Sequence, residues 1–145
     1  YAQSNRERYE GFCQALMDAG KTPNPSLCLT TPLGIDSYRE EIDSFLSSLS
    51  RMPDAFVCAS DYVACILMQL LEKRGLRVPE DVAVSGFDNN IEDLLAENLT
   101  TVQVFNEELG SRLALQILYR IKYPHTPHEV TYLESKVLYR ASTGD

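Results

Sequence analysis

The stretch "GLRVPEDVAVSGFDNN", residues 75–90, contains the features that decide the fold. Within it, residues 82–87 form an apolar run with little polar alternation, which is typical of a parallel strand covered on both faces. Gly75 before the run is a common helix end, and the polar cluster at residues 88–90 stops the run abruptly. A helix, a buried strand and a polar end in this order indicate one unit of an α/β fold.

Similar units lie on both sides of this stretch, and together they predict a mainly parallel sheet flanked by helices. Residues 55–59 form a second continuous apolar run, and a helix capped by Ser60 or Asp61 follows it. Apolar residues at helical spacing, with Ser4 and Glu7 as a capping box, predict a first helix. The predicted helices cover residues 5–19, 37–49, 61–75, 91–97 and 106–122, and the predicted strands cover residues 27–29, 55–59, 82–87, 100–104, 130–133 and 136–139.

The composition fits one soluble, acidic domain. The chain has 145 residues, 44% hydrophobic and 23% charged, and no apolar run reaches the roughly 18 residues of a membrane span. Its formal charge of -8 opposes a phosphate backbone, so we expect no nucleic-acid binding by this chain itself. The start has no signal-peptide layout and the cysteines form no CxxC pair, which favours thiols in a reducing cytoplasm. The cysteines are Cys13, Cys28, Cys58 and Cys65.

Two short polar clusters follow the two buried strands and define the predicted ligand site. Ser60 and Asp61 follow the first strand, and Asp88 follows the second. The carboxyl ends of neighbouring parallel strands share one edge of a sheet, where ligands of open α/β sheets bind. The alternative is that Asp61 and Asp88 only cap the helices that follow them. Gly86 is expected to allow a close backbone approach beside this edge.

Arg8, in the first predicted helix, is a further candidate for ligand binding. An arginine on a helix surface is usually solvated. Its fork of donors nevertheless suits a carboxylate, a pair of sugar hydroxyls or a nucleobase edge, so both interpretations stay open.

Signatures of enzyme chemistry are scarce. His125 and His128 lie in a proline-rich loop without nearby cysteines or carboxylates, so we predict no metal site. The sequence contains no GxSxG elbow, glycine-rich phosphate loop or GxGxxG motif, and we expect no cofactor. Asp88 with Glu92 and Asp93 offers carboxylates for acid/base work, although acids at a helix start explain them equally well.

The third predicted helix, which follows Ser60, is apolar on almost every face. Such a helix must be covered on more than the side that faces the sheet. Burial in the core and burial in a subunit interface both explain the excess.

Five segments of the chain carry a family resemblance by their order and spacing: "RYEGFCQALMDAG" (8–20), "PDAFVCASDYVA" (53–64), "LEKRGLRVPEDVAVSGFDN" (71–89), "LTTVQVFNEELG" (99–110) and "LYRAST" (138–143). With them, the sequence resembles the C-terminal part of the effector-binding domain of the lactose-repressor and galactose-repressor family of bacterial transcription regulators. Members of that family join a helix-turn-helix headpiece to a two-lobed, periplasmic-binding-protein-like sensor. The sensor holds a small ligand between its lobes.

The resemblance implies a division of the chain and a function. Residues 1–102 belong to the C-terminal lobe, residues 103–131 cross back to the N-terminal lobe, and residues 132–145 return. The DNA-binding headpiece and most of the N-terminal lobe are then absent from this chain, so DNA is bound only through that headpiece. The implied function is ligand sensing and dimerisation in a cytoplasmic repressor, with a sugar or nucleobase as effector and no membrane contact.

The resemblance also implies roles for individual residues. Arg8 matches the arginine that contacts the ligand in the family, and Asp88 matches the aspartate that hydrogen-bonds the effector. Ser60 stands where many members have the asparagine of an Asn-Asp pair, whereas Asp61 agrees with that pair. Many members place an aromatic ring in the loop after the second strand, where this chain has "TTPL", residues 30–33.

A homodimer is implied through the helix after Ser60 and through the loop before "LTT". The implied contact residues are Tyr62, Ile66, Leu67, Leu70, Leu94 and Leu95.

Two other classes of function stay open as alternatives. A solute-binding protein of a sugar transporter has the same lobes, but the cysteines, the missing leader and the "LYRAST" ending favour the regulator. A Rossmann-like enzyme would use the carboxylates of Asp88, Glu92 and Asp93.

Overall fold

The computed structural model describes residues 3–30, 37–90 and 96–144. These residues form four α-helices and four short strands, in the order helix, helix, strand, helix, strand, strand, helix, strand, which agrees with the predicted α/β class. The helices are α1 (Gln3–Asp18), α2 (Tyr38–Ser48), α3 (Asp61–Lys73) and α4 (Asn106–Lys122), and the strands are β1 (Ala55–Val57), β2 (Ala83–Ser85), β3 (Thr101–Gln103) and β4 (Lys136–Leu138). Short 3₁₀ helices span Pro25–Leu27, Ala96–Asn98 and Ala141–Thr143.

The strands lie side by side in the order β1-β2-β3-β4. Strands β1 and β2 pair in parallel, with Phe56 opposite Val84. A parallel bridge between Ser85 and Thr100 joins β2 to the start of β3, and β4 pairs antiparallel with β3. The prediction of a mainly parallel sheet is therefore confirmed, with one antiparallel edge strand.

Helix α3 lies at the centre of the core. Its apolar side chains pack between the sheet and α2, which contributes Ile42 and Leu46. Leu71 on α3 and Val84 on β2 are completely buried. Burying side chains of this size contributes roughly 1.5–3 kcal/mol each. The sheet and α2 of the same chain thus bury most of the apolar surface of α3.

This packing corrects the predicted dimer contacts. Ile66, Leu67 and Leu70 are only 8%, 4% and 4% exposed, so they belong to the core and are not on the surface for a partner to contact. Tyr62 is 54% exposed and packs edge-on against Tyr38, with the ring centroids 5.8 Å apart. Leu94 and Leu95 lie outside the described residues.

Three local predictions were wrong. Residues 27–29 do not form a strand, because Pro25–Leu27 is a 3₁₀ helix and Asn24 accepts a hydrogen bond from the Ser26 amide at its start. Residues 130–133 are not a strand either, because only the following Lys136–Leu138 pairs with β3. Ser4 is not an N-cap, since α1 already includes it. The predicted helix at residues 91–97 falls mostly outside the described residues.

Helices α1 and α4 differ from α2 and α3, because they bury no side chain in the described structure. An apolar stripe at four-residue spacing on α4 is exposed. It consists of Leu109, Leu113, Ile117 and Ile121. Among the described residues, no helix is both long and apolar enough to cross a membrane.

The cysteines provide a test of the core. All four are thiols in the described structure, as predicted. Burial, with a smaller effect of neighbouring negative charge, raises the pKa of the Cys58 thiol to about 12.

Because the thiolate is the reactive species, we expect Cys58 to react with an aromatic disulfide reagent at pH 8 roughly 10³-fold more slowly in the folded protein than in urea. Peptide mass spectrometry at timed quench points measures this. Folded and unfolded rates within tenfold of each other would contradict the described core.

Candidate functional site

The carboxyl ends of β1 and β2 form one polar edge, because the two strands are parallel neighbours. The segment after β1 leads into Ser60, which caps α3: its Oγ accepts a hydrogen bond from the Val63 amide at 3.4 Å. The Asp61 amide donates to the Phe87 carbonyl oxygen at 2.8 Å, which connects the start of α3 to the segment just after β2. The polar residues predicted from the two strand ends therefore lie side by side.

Arg8 reaches this edge from α1. Its Nη1 donates to the Ala59 carbonyl oxygen at 2.6 Å, and its Nη2 lies 3.4 Å from Asp88 Oδ1. The guanidinium carbon lies 3.7 Å from the centroid of the Phe87 ring, a cation–π geometry that fixes the plane of the group. The structure thus brings together Arg8 and Asp88, two residues 80 positions apart.

The contact between Arg8 and Asp88 is loose. Charge-assisted N–H to carboxylate bonds are usually about 2.7–2.9 Å long, and this one is 3.4 Å. Burial raises the pKa of the Asp88 carboxyl, which Arg8 partly opposes and the negative charge of Asp61 increases. Both side chains are about one quarter exposed, at 28% and 27%. The Arg8 guanidinium can therefore donate hydrogen bonds, and the Asp88 carboxylate, which Arg8 contacts only loosely, can accept them. Both groups are accessible, and this arrangement suits a ligand with hydroxyl or amide groups.

Asp88 sits in an unusual turn. Its φ is 115° and that of Asn89 is 51°, a region that L-residues rarely adopt. The Asp88 amide donates to the Val102 carbonyl oxygen at 2.9 Å, so β3 holds the turn from one side. Backbone strain of this kind clusters at functional sites.

Asp61 has a structural position that the sequence did not reveal. It is 2% exposed, and its Oδ1 accepts a hydrogen bond from Thr101 Oγ1 at 2.5 Å. A Cβ added to Gly86 would lie only 2.2 Å from the same oxygen, which confirms the expected close approach at Gly86. The predicted effector contact of Asp61 does not fit this burial, because the carboxylate is covered and already bonded. Ser60 is half-buried at the edge and stays a candidate.

Other predicted site residues are less informative. Residues 31–33 of the "TTPL" segment lie outside the described residues. Glu92 and Asp93 do so as well, so Asp88 is the one member of the predicted set of three carboxylates that the structure describes. Within residues 3–30, 37–90 and 96–144, no group of three or more metal-ligating side chains comes together.

The end of the chain contributes residues that the sequence reasoning missed. Ser142 is buried; its Oγ donates to the Val84 carbonyl oxygen at 2.6 Å and accepts from the Thr100 amide at 2.8 Å. Arg140 Nη2 donates to Asn89 Oδ1 at 2.7 Å, in the turn that carries Asp88. These contacts span 42 to 58 positions, so no local pattern indicates them.

Comparisons with known proteins agree with this architecture. The periplasmic binding protein-like domain family matches residues 1–143. The HTH-type transcriptional repressor PurR of Photobacterium profundum is 28% identical over 97% of this chain and 42% of the repressor. The transcriptional regulator CelR, solved with cellobiose, has a TM-score of 0.81 and 30% identity over 94% of this chain and 42% of its own. A LacI-family regulator from Enterococcus faecium, solved with ribose, has a TM-score of 0.76 and 28% identity over 96% of this chain and 51% of its own. The chain therefore spans about half the length of these proteins or less.

Proposed function

This chain belongs to the periplasmic binding protein-like domain family, and we propose that it is part of a LacI-family transcription regulator in which it senses a small effector. The observation that carries the proposal is the pairing of Arg8 and Asp88 at the edge where β1 and β2 end. One supplies donors and the other an acceptor, which together suit the hydroxyl groups of a sugar or the polar edge of a nucleobase. The sugars bound to CelR and to the Enterococcus faecium regulator support the sugar as the first class to test.

The proposed mechanism is a change in the arrangement of two lobes. Residues 1–102 and 132–145 would form one lobe, and residues 103–131 would cross to the other. Three features support this division: β4 returns to pair with β3, α4 between them buries nothing, and its apolar stripe is exposed. An effector that binds one lobe arrangement more tightly shifts the equilibrium by that difference in affinity.

The regulator would act as a homodimer on DNA in the cytoplasm, without catalysis. The acidic balance of this chain supports a separate DNA-binding part, because a net charge of -8 repels phosphates. The exposed Tyr62, which packs edge-on against Tyr38, is the remaining candidate contact for the second subunit. Aromatic residues with one polar end are enriched at the centres of such interfaces.

Binding to the Arg8–Asp88 pair is tested by calorimetry on the full-length protein, with ribose and cellobiose as the first probes. We expect Arg8→Ala and Asp88→Ala each to weaken the affinity for the bound sugar by about tenfold to a hundredfold, because each removes a charge-assisted hydrogen bond. Arg77→Ala is the matched control. Its ion pair with Asp81 is exposed, and Arg77 precedes β2, at the opposite end of the strand. A sugar that binds wild type and both site variants equally would show that the site is wrong.

A further inference from the structure

The turn that carries Asp88 needs contacts that hold it in place. With φ values of 115° and 51°, Asp88 and Asn89 occupy conformations that persist only where the surroundings over-determine them. The bond from the Asp88 amide to Val102 fixes the main chain on the side of β3. It does not fix Asn89, whose side chain points to a different partner.

That partner is Arg140. Its Nη2 donates to Asn89 Oδ1 at 2.7 Å, and its Nη1 donates to the Leu99 carbonyl oxygen at 2.9 Å. The guanidinium therefore bridges the turn and the segment just before β3. Because the group is planar and always charged, it holds two acceptors in a fixed relative position.

Arg140 is itself anchored by its main chain. Its amide donates to Thr100 Oγ1 at 2.8 Å, and that hydroxyl donates to the Arg140 carbonyl oxygen at 3.0 Å. Arg140 lies two residues after β4, the strand that brings the chain back beside β3. The returning segment thus contacts the Asp88 turn through the Arg140 side chain.

We propose that Arg140 is a positioning residue that holds Asn89 and thereby sets the direction in which Asp88 presents its carboxylate toward Arg8. The inference rests on the proposed function, because the direction of Asp88 affects binding only where this edge takes an effector. Through the contact between Arg140 and Asn89, a movement of the segment after β4 would also move the Asp88 turn at the binding edge. Arg140 does not itself need to touch the effector.

Hydrogen exchange of the Asp88 amide tests the positioning role without any ligand. Arg140→Met keeps the length of the side chain and removes the donors. In the full-length protein we expect the Asp88 amide to exchange at least about tenfold faster, because the turn opens locally more often. The Cys58 amide, which donates to the Ser85 carbonyl oxygen between β1 and β2, should keep its rate. An unchanged Asp88 rate in Arg140→Met would overturn the proposal.

Ser142→Ala separates positioning from general anchoring of the same segment. It removes the buried bonds to Val84 and Thr100 but does not touch Asn89. We expect this variant to melt at a lower temperature while the Asp88 amide exchanges at the wild-type rate. If Ser142→Ala speeds Asp88 exchange as much as Arg140→Met does, the effect is general loosening and the proposal fails.

Variants at Asn89 test whether Arg140 acts through this residue. Asn89→Asp keeps an acceptor and should retain the slow exchange of the Asp88 amide. Asn89→Gly removes the acceptor. In the double variant with Arg140→Met, we expect the Asp88 amide to exchange no faster than in either single variant. If the two changes instead have fully additive effects on the free energy of opening at Asp88, Arg140 does not act through Asn89. If exchange behaves as expected but Asp88→Ala leaves ribose and cellobiose binding unchanged, positioning stands and the proposed function fails.

Discussion

Gly86→Ala is expected to destabilise the protein by roughly 3 kcal/mol or more, through overpacking and loss of a buried hydrogen bond. The added Cβ would lie 2.2 Å from Asp61 Oδ1, 2.9 Å from Leu99 Cδ2 and 3.1 Å from Asp61 Cα. Neither neighbour has room to move. Leu99 is completely buried, and Asp61 is held by Thr101 through its side chain and by Phe87 through its amide.

Urea denaturation followed by circular dichroism measures the effect. Gly11→Ala is the control, because Gly11 lies within α1 and a Cβ there meets nothing within 4 Å. Alanine is the better helix former, so we expect this control to stabilise by about 0.5–1 kcal/mol. A Gly86→Ala protein that unfolds at the wild-type urea concentration would show that helix α3 and strand β2 do not approach as described.

Local signals predicted the regular elements well. Helix α4 has the predicted bounds of residues 106–122, because Asn106 and the acids after it suit a helix start and the apolar spacing continues to Lys122. Strands β1 and β2 lie inside the predicted apolar runs, and Ser60 is the N-cap of α3. Such features depend on neighbours a few positions away, and the sequence displays these directly.

Features that depend on distant partners were predicted poorly. The apolar surface of α3 leaves open whether the sheet, α2 or another subunit covers it, and the structure shows that Ile66 and Leu67 are in the core. Asp61 follows a strand as a ligand-binding residue would, but its burial depends on Thr101, 40 positions later. The donor chemistry of Arg8 left ligand binding and simple solvation both open, because one arginine on an exposed helix carries no pattern of its own, and the family resemblance favoured binding.

Ile117→Glu is expected to destabilise the full-length protein by roughly 3 kcal/mol or more, because it would bury an unpaired charge. In this chain Ile117 is 52% exposed, at the middle of the apolar stripe on α4. A stripe of four large aliphatic residues on a helix that buries nothing else requires a cover, and the proposed lobe division supplies one. The stability is measured by urea denaturation of the full-length protein.

Ser111→Glu is the matched control, because it adds the same charge to the same helix away from the stripe. Ser111 is exposed and lies about 140° around the helix from the centre of the stripe, so we expect a change within about 0.5 kcal/mol. The comparison separates the effect on stability of adding a charge anywhere on α4 from the effect of burying a charge beneath a second lobe. If both variants unfold at the wild-type urea concentration, the stripe is solvated in the whole protein. Residues 103–131 would then not cross to another lobe, and a change of lobe arrangement could not pass through α4.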